Sequence, residues 1–239
     1  MGEYRRKRKP TRLLLDICTQ RDFLIQGAIL QVANLKTLVP NIKQLFAWIR
    51  DGRHPVFSSV ESHRLSEPSN GFPLHCIDDT PGQKKMSFTL LSGYTFVETD
   101  NYLSLPATVH TMHGKYQQLI FRKRSRDVLG NPKADRFLTQ YEADEFIIFG
   151  VGLERAIKAL ALGLQSRHKN VTVVSDGCGY WSSADADLAL RQLEAKGIRL
   201  ATTEELTAQA TEPARQVETR PGSKTSTDNK QKHSNAPSQ

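Results

Sequence analysis

Two spacings of apolar residues alternate along the chain: short compact runs, and stretches where they recur every third or fourth position. The run 12–17 (RLLLDI) is compact and closes on an acid, which predicts a strand buried on both faces. A helix is expected from about Pro40, a residue suited to a first turn. Ile42, Leu45, Phe46 and Ile49 share one of its faces, and Asp51-Gly52 ends it. Further strands are read at 56–60, 119–122, 146–149, 171–174 and 198–201, and further helices at 154–165 and 185–195. A turn is placed at Asp176-Gly177. Residues 62–86 hold Pro68, Gly71, Pro73, Pro81 and Gly82 and read as one long loop, a length usually kept for function or disorder.

Strands alternating with helices predict an α/β fold, a three-layer α/β/α sandwich around a mainly parallel sheet. Ligands of such sheets sit beyond the carboxyl ends of the strands. Asp16, Glu61 and Lys123 close three successive predicted strands, and the helix after Gly150 starts at the same edge, so one pocket is expected to collect them.

Charge alters little of this. The net charge is +8, but the first twelve residues carry six Lys/Arg against one Glu, and residues 207–239 carry five against three. The stretch between is within one charge of neutral. A basic arm binds polyanions nonspecifically, so nucleic acid is not expected as a main partner. Residues 1–10 and 207–239 lack the apolar content to offset ordering entropy and read as a disordered arm and tail around a domain at 11–206. No apolar run is long enough to span a bilayer, and no leader pattern is visible, so a cytoplasmic protein is expected. Cys18, Cys76 and Cys178 are too few and too scattered for a disulfide framework or a zinc finger.

Five segments, in order, resemble the isochorismatase and nicotinamidase cysteine hydrolases, over about residues 11–206. They are LLLDICTQRDF (13–23), FPLHCIDDTPGQKK (72–85), IFRKR (120–124), FGVGLERAIKALALGL (149–164) and VTVVSDGCG (171–179). The resemblance implies the fold named above and a catalytic aspartate, lysine and cysteine. The aspartate carries over to Asp16 and the lysine to Lys123. The nucleophile position falls on Ala156, whose methyl group cannot form a thioester. Gly152 and Phe23 carry over as substrate-binding positions, Phe23 as a ring wall whose plainer reading is core packing. Without a thiol, Asp16 and Lys123 read equally well as a structural ion pair. Of the cysteines, Cys18 is the best placed to substitute, although a small buried residue is the commoner reading for all three.

The resemblance also implies a divalent metal at Glu61, His63 and His75, with Glu67 or Asn70 as the only further donors between them. Two imidazoles and a carboxylate suit Zn²⁺, Fe²⁺ or Mn²⁺; no nucleotide cofactor is expected. His110 and His113 are read as a solvated pair. Three functions follow as expectations. The first is a pseudoenzyme of the hydrolase fold that keeps a pocket for a small planar amide-like ligand. The second is a hydrolase of nicotinamide-like C–N bonds working through the metal or a relocated thiol. The third is a scaffold using the basic arm, with homo-oligomers left open.

Overall fold

A computed structural model describes residues 11–67, 71–98 and 115–208. The arm, most of the tail, Asn70 and the His110/His113 pair lie outside these residues.

Seven parallel strands form one sheet: β1 (Arg12–Ile17), β2 (Val56–Glu61), β3 (Tyr94–Val97), β4 (Gln118–Lys123), β5 (Glu145–Val151), β6 (Val171–Gly179) and β7 (Arg199–Ala201), in the order β3-β4-β2-β1-β5-β6-β7. β1 is central, and Leu13, Leu14 and Leu15 are wholly buried, as a strand covered on both faces requires. Among the described residues the α-helices are α1 (Arg21–Leu24), α2 (Leu35–Gly52), α3 (Pro132–Gln140), α4 (Lys158–Gln165), α5 (Ser183–Ala195) and α6 (Thr203–Ala208). α2 packs on β6 and on α6, while α4 packs on β6 and on α5, giving the expected three layers. Under α3 the rings of Phe57 and Phe121 stack at 4.7 Å, with Phe137 5.5 Å from Phe121. No helix among the described residues is long and apolar enough to cross a membrane.

Several boundaries differ from the sequence reading. α2 starts at Leu35, so Pro40 stands inside it. Burial of Leu35 and Leu38 draws the extra turn onto the sheet, outweighing the donor that proline lacks. β6 runs on through Asp176 and Gly177 to Gly179, with a register shift against β5 between Ile148 and Gly150 absorbing the irregularity. The helix after β5 opens as a wide turn of π type over Leu153–Ile157 before α4 begins. β3 and α3 were not anticipated. α6 extends to Ala208, two residues past the expected domain end. The 62–86 loop is tied down: His63 bridges to Ile77, and Lys85 to Gln20.

Gly150 is required by this sheet. Its φ is +124°, and a Cβ there would overlap the backbone carbonyl of Ile17 on β1.

Candidate functional site

The carboxyl ends of β1, β2, β4 and β5 meet at one edge, but they sort the expected residues into two separate groups. The first group is closed to solvent. Asp16 is fully buried, and its carboxylate accepts from the Thr19 hydroxyl at 2.8 Å, the Ser58 hydroxyl at 2.8 Å and the Lys85 ammonium at 2.6 Å. Lys85 also donates to Thr19 Oγ1 at 2.6 Å. The expected pairing of Asp16 with Lys123 is therefore corrected: the partner of Asp16 is Lys85, brought in by the end of the 62–86 loop. Asp16 does not line the pocket that holds Ala156. The backbone turns at Cys18, whose φ is +51°, and it is Cys18 that faces that pocket.

The second group is built on Glu61, the last residue of β2, which stands in register with Lys123 at the end of β4. Gln20 clamps the Glu61 backbone, donating to its carbonyl at 2.8 Å and accepting from its N–H at 2.7 Å. Lys123 donates to Glu61 Oε1 at 2.8 Å and to the carbonyls of Ser125 and Arg126 at 3.0 and 3.3 Å. These three acceptors use up an ammonium's three donors. Burial opposes its charge, yet negative neighbours override this and push its pKa up to about 12.

Glu61 Oε2 faces two imidazoles, His75 Nε2 at 3.0 Å and His63 Nε2 at 3.3 Å. The donor atoms of Glu61, His63 and His75 all lie within 4.8 Å of one another. His75 Nδ1 is 2.7 Å from the Pro73 carbonyl, which can only accept, so Nδ1 carries a proton. A neutral His75 then turns a lone pair on Nε2 toward a carboxylate oxygen. That contact calls for a positive charge between them, as a ring proton or a bound cation. Burial by itself would raise the Glu61 carboxyl, but Lys123 and the two histidines hold it well below the usual carboxylate range. Burial works against charging His75, and the Glu61 contact outweighs it to raise the imidazole. Two imidazoles and an ionised carboxylate are a donor set for a divalent cation. Glu67 sits behind His63, 3.3 Å from Nδ1, and orients it.

Two cavities adjoin this group. An outer one of about 670 Å³ is lined by Glu61, His63, His75, Glu67, Phe72 and the Arg124–Arg126 turn, among others. An inner one of about 30 Å³ is lined by Cys18, Phe23, Glu61, Phe72, Gly152, Arg155, Ala156 and Trp181, among others. Phe23 is buried and also forms a wall of the inner cavity, 5.9 Å from Trp181 and 5.5 Å from His75 between ring centroids. Gly152 lines it at φ +93°, but its N–H is already bonded to the Gly179 carbonyl at 2.9 Å. Ala156 lies in the wide turn and reaches the inner cavity with only its methyl.

No cysteine is poised to act in its place. Cys18 is 2 % exposed, and burial pushes its thiol up to about 11 although Lys123 pulls the other way. Cys76 and Cys178 are fully buried, and desolvation raises both thiols further. Activated thiols need the opposite environment. Sequence reasoning missed Lys85, Gln20, Phe72, Arg126, Arg155 and Trp181. Lys85 closes one of the quoted segments and Arg155 directly precedes Ala156, so adjacency was the available signal. Trp181 carries no periodic or motif signal.

Comparison with known proteins agrees with this architecture. The family model described as Isochorismatase domain matches residues 13–205. Among solved structures, a nicotinamidase/pyrazinamidase from Bacillus subtilis is 16% identical with TM-score 0.63, covering 80% of this chain and 99% of its own. An isochorismatase-like hydrolase from Alkaliphilus metalliredigens is 20% identical with TM-score 0.65, over 84% and 100%. A pyrazinamidase from Pyrococcus horikoshii, solved in complex with zinc, is 18% identical with TM-score 0.62, over 81% and 99%. At these identities the likeness is one of fold. No curated protein sequence matches the chain.

Proposed function

This chain belongs to the isochorismatase family, and we propose that it is a member silent in thiol-based amide hydrolysis that keeps a ligand pocket and a divalent metal site. The observation that carries this reading is Ala156, a methyl group facing the inner cavity at the position matched to the nucleophile. The surroundings support it. Asp16 is locked to Lys85, Lys123 is locked to Glu61, and the end of β1 presents to this pocket the neutral thiol of Cys18 in place of the Asp16 carboxylate. A general base has to reach the proton it removes, and Asp16 does not line this pocket.

Glu61, His63 and His75 would hold the metal, zinc being the ion carried by the Pyrococcus horikoshii relative. A bound divalent ion acidifies a coordinated water or polarises a ligand atom. Around it Lys123 balances the Glu61 charge, Glu67 orients His63, and the Pro73 carbonyl fixes the His75 tautomer. The opening of this group onto the outer cavity favours one second reading, a metal-dependent hydrolase of a planar C–N substrate.

The test joins metal analysis of the purified protein to an ammonia-release screen with nicotinamide and benzamide. Wild type and Ala156→Cys are expected to be inactive, because Asp16 does not line the pocket and Glu61 is engaged by Lys123 and the two imidazoles. The pair Cys18→Asp with Ala156→Cys supplies both carboxylate and thiol and is expected to gain activity. Wild-type turnover that chelation abolishes and thiol alkylation spares would replace the proposal with the second reading. Turnover lost in Cys18→Ser would instead show a relocated thiol.

A further inference from the structure

The inner cavity holds about 30 Å³, room for roughly one water. Phe72 lines both cavities, together with Glu61, His75 and Arg126. Its ring rests in a cage: the Arg155 guanidinium lies 4.1 Å from its centroid and that of Arg126 4.8 Å, with Trp181 6.2 Å and His75 6.3 Å away by ring centroids. A flat ring already fills a slot built for one. That ring lines the same cavity as Ala156.

The charges around the slot are unequal. Lys123 is neutralised by Glu61, and Arg124 is paired with Glu67 at 3.0 Å and Asp78 at 3.6 Å. Arg155 forms no ion pair among the described residues, and its guanidinium lies over the face of Phe72. A cation stacked on an arene keeps its in-plane N–H donors, and a planar carboxylate matches that fork. Cys18 and Ala156, which both line the inner cavity, are neutral there. A negative ligand therefore meets little repulsion from these positions.

On the reading that this pocket binds without turning over, we propose that its ligand is a planar aromatic carboxylate rather than a neutral amide. Arg155 selects the charge, and Phe72 is the ring that such a ligand displaces. Arg155 holds the carboxylate, and Phe23 and Trp181 flank the ring.

Benzoate and benzamide, equal in shape and different in charge, are the probes, titrated calorimetrically into the purified full chain with and without chelator. Benzoate is expected to bind at least tenfold more tightly than benzamide in both conditions. Arg155→Met should shrink that ratio toward one while leaving benzamide affinity in place, and Phe72→Ala should tighten both ligands. Benzamide binding as well as benzoate overturns the proposal, and that comparison needs no variant to fold. So does a benzoate preference that survives Arg155→Met, or one that disappears with chelator, which would assign the carboxylate to the metal. Failure of either ligand to bind a cooperatively melting Phe72→Ala protein overturns it as well. Ammonia release from benzamide is a separate readout and bears only on catalytic silence.

Discussion

The ion pair between Lys85 and Asp16 offers the sharpest perturbation. Both side chains are buried, at 1 % and 0 % exposure, and their charged atoms are 2.6 Å apart. Lys85→Met keeps most of the aliphatic stem and leaves the Asp16 carboxylate buried with two hydroxyl donors and no counter-charge. Breaking a buried pair in this way costs about 3–5 kcal/mol. At about 2–4 °C per kcal/mol for a chain of this size, the melting temperature should fall by roughly 6–20 °C. Asp16→Asn keeps the shape and strands the ammonium instead, at similar cost. The double variant removes both charges, and its loss should undercut the sum of the single losses by at least about 2 kcal/mol, as for residues in direct contact. Urea unfolding followed by circular dichroism measures all four corners of the cycle. Metal content of the folded variants is expected to match wild type, because the pair touches none of Glu61, His63 and His75. Additive costs, or a Lys85→Met loss under about 1 kcal/mol, would refute the argument. So would an Asp16→Asn protein that folds normally and no longer binds metal.

Two further outcomes follow from burial and backbone geometry. Burial raises Cys18 from 9.0 to about 11, with Cys76 and Cys178 raised in the same direction, so the folded state holds thiol protons that the unfolded chain gives up. Stability is then level below about pH 9 and falls as pH climbs toward 11. The Cys18 share of that fall is about 2 kcal/mol by about pH 10.5; the drop in urea midpoint between about pH 8 and 10.5 should be smaller by that share in Cys18→Ala, and an equal drop in both proteins would contradict the assignment. Gly150→Ala places a methyl on the Ile17 carbonyl at a φ of +124° and should cost several kcal/mol, on the order of a large core disruption; a soluble variant melting within a few degrees of wild type would mean that β1 and β5 can separate.

Compact apolar runs such as Leu13–Leu14–Leu15 and Phe146–Phe149 made the central strands legible, because burial on both faces leaves no polar alternation to confuse the reading. Edge strand β3 was invisible for the opposite reason: Tyr94 and Phe96 are half exposed, and the run is short. α3 did carry a signal in Asn131-Pro132, where the asparagine side chain accepts from the N–H groups of Lys133 and Ala134. At the site, the grouping of Glu61, His63 and His75 and the inward position of Ala156 follow from strand ends and quoted segments. The partner of Asp16 does not. It depends on the path of the 62–86 loop back to Gln20, and on the left-handed turn at Cys18, which points the thiol where a straight strand would have pointed another residue. Neither is encoded by local periodicity.

The charge pair that anchors β1 and the position that would attack a substrate occupy different compartments of this molecule. Alanine is also the best helix former, so a methyl at 156 asks nothing of the turn that holds it. On the proposed reading, exchanging a sulfur for a methyl at this position leaves the scaffold at full strength. Selection on ligand capture alone would then keep the remaining walls in place.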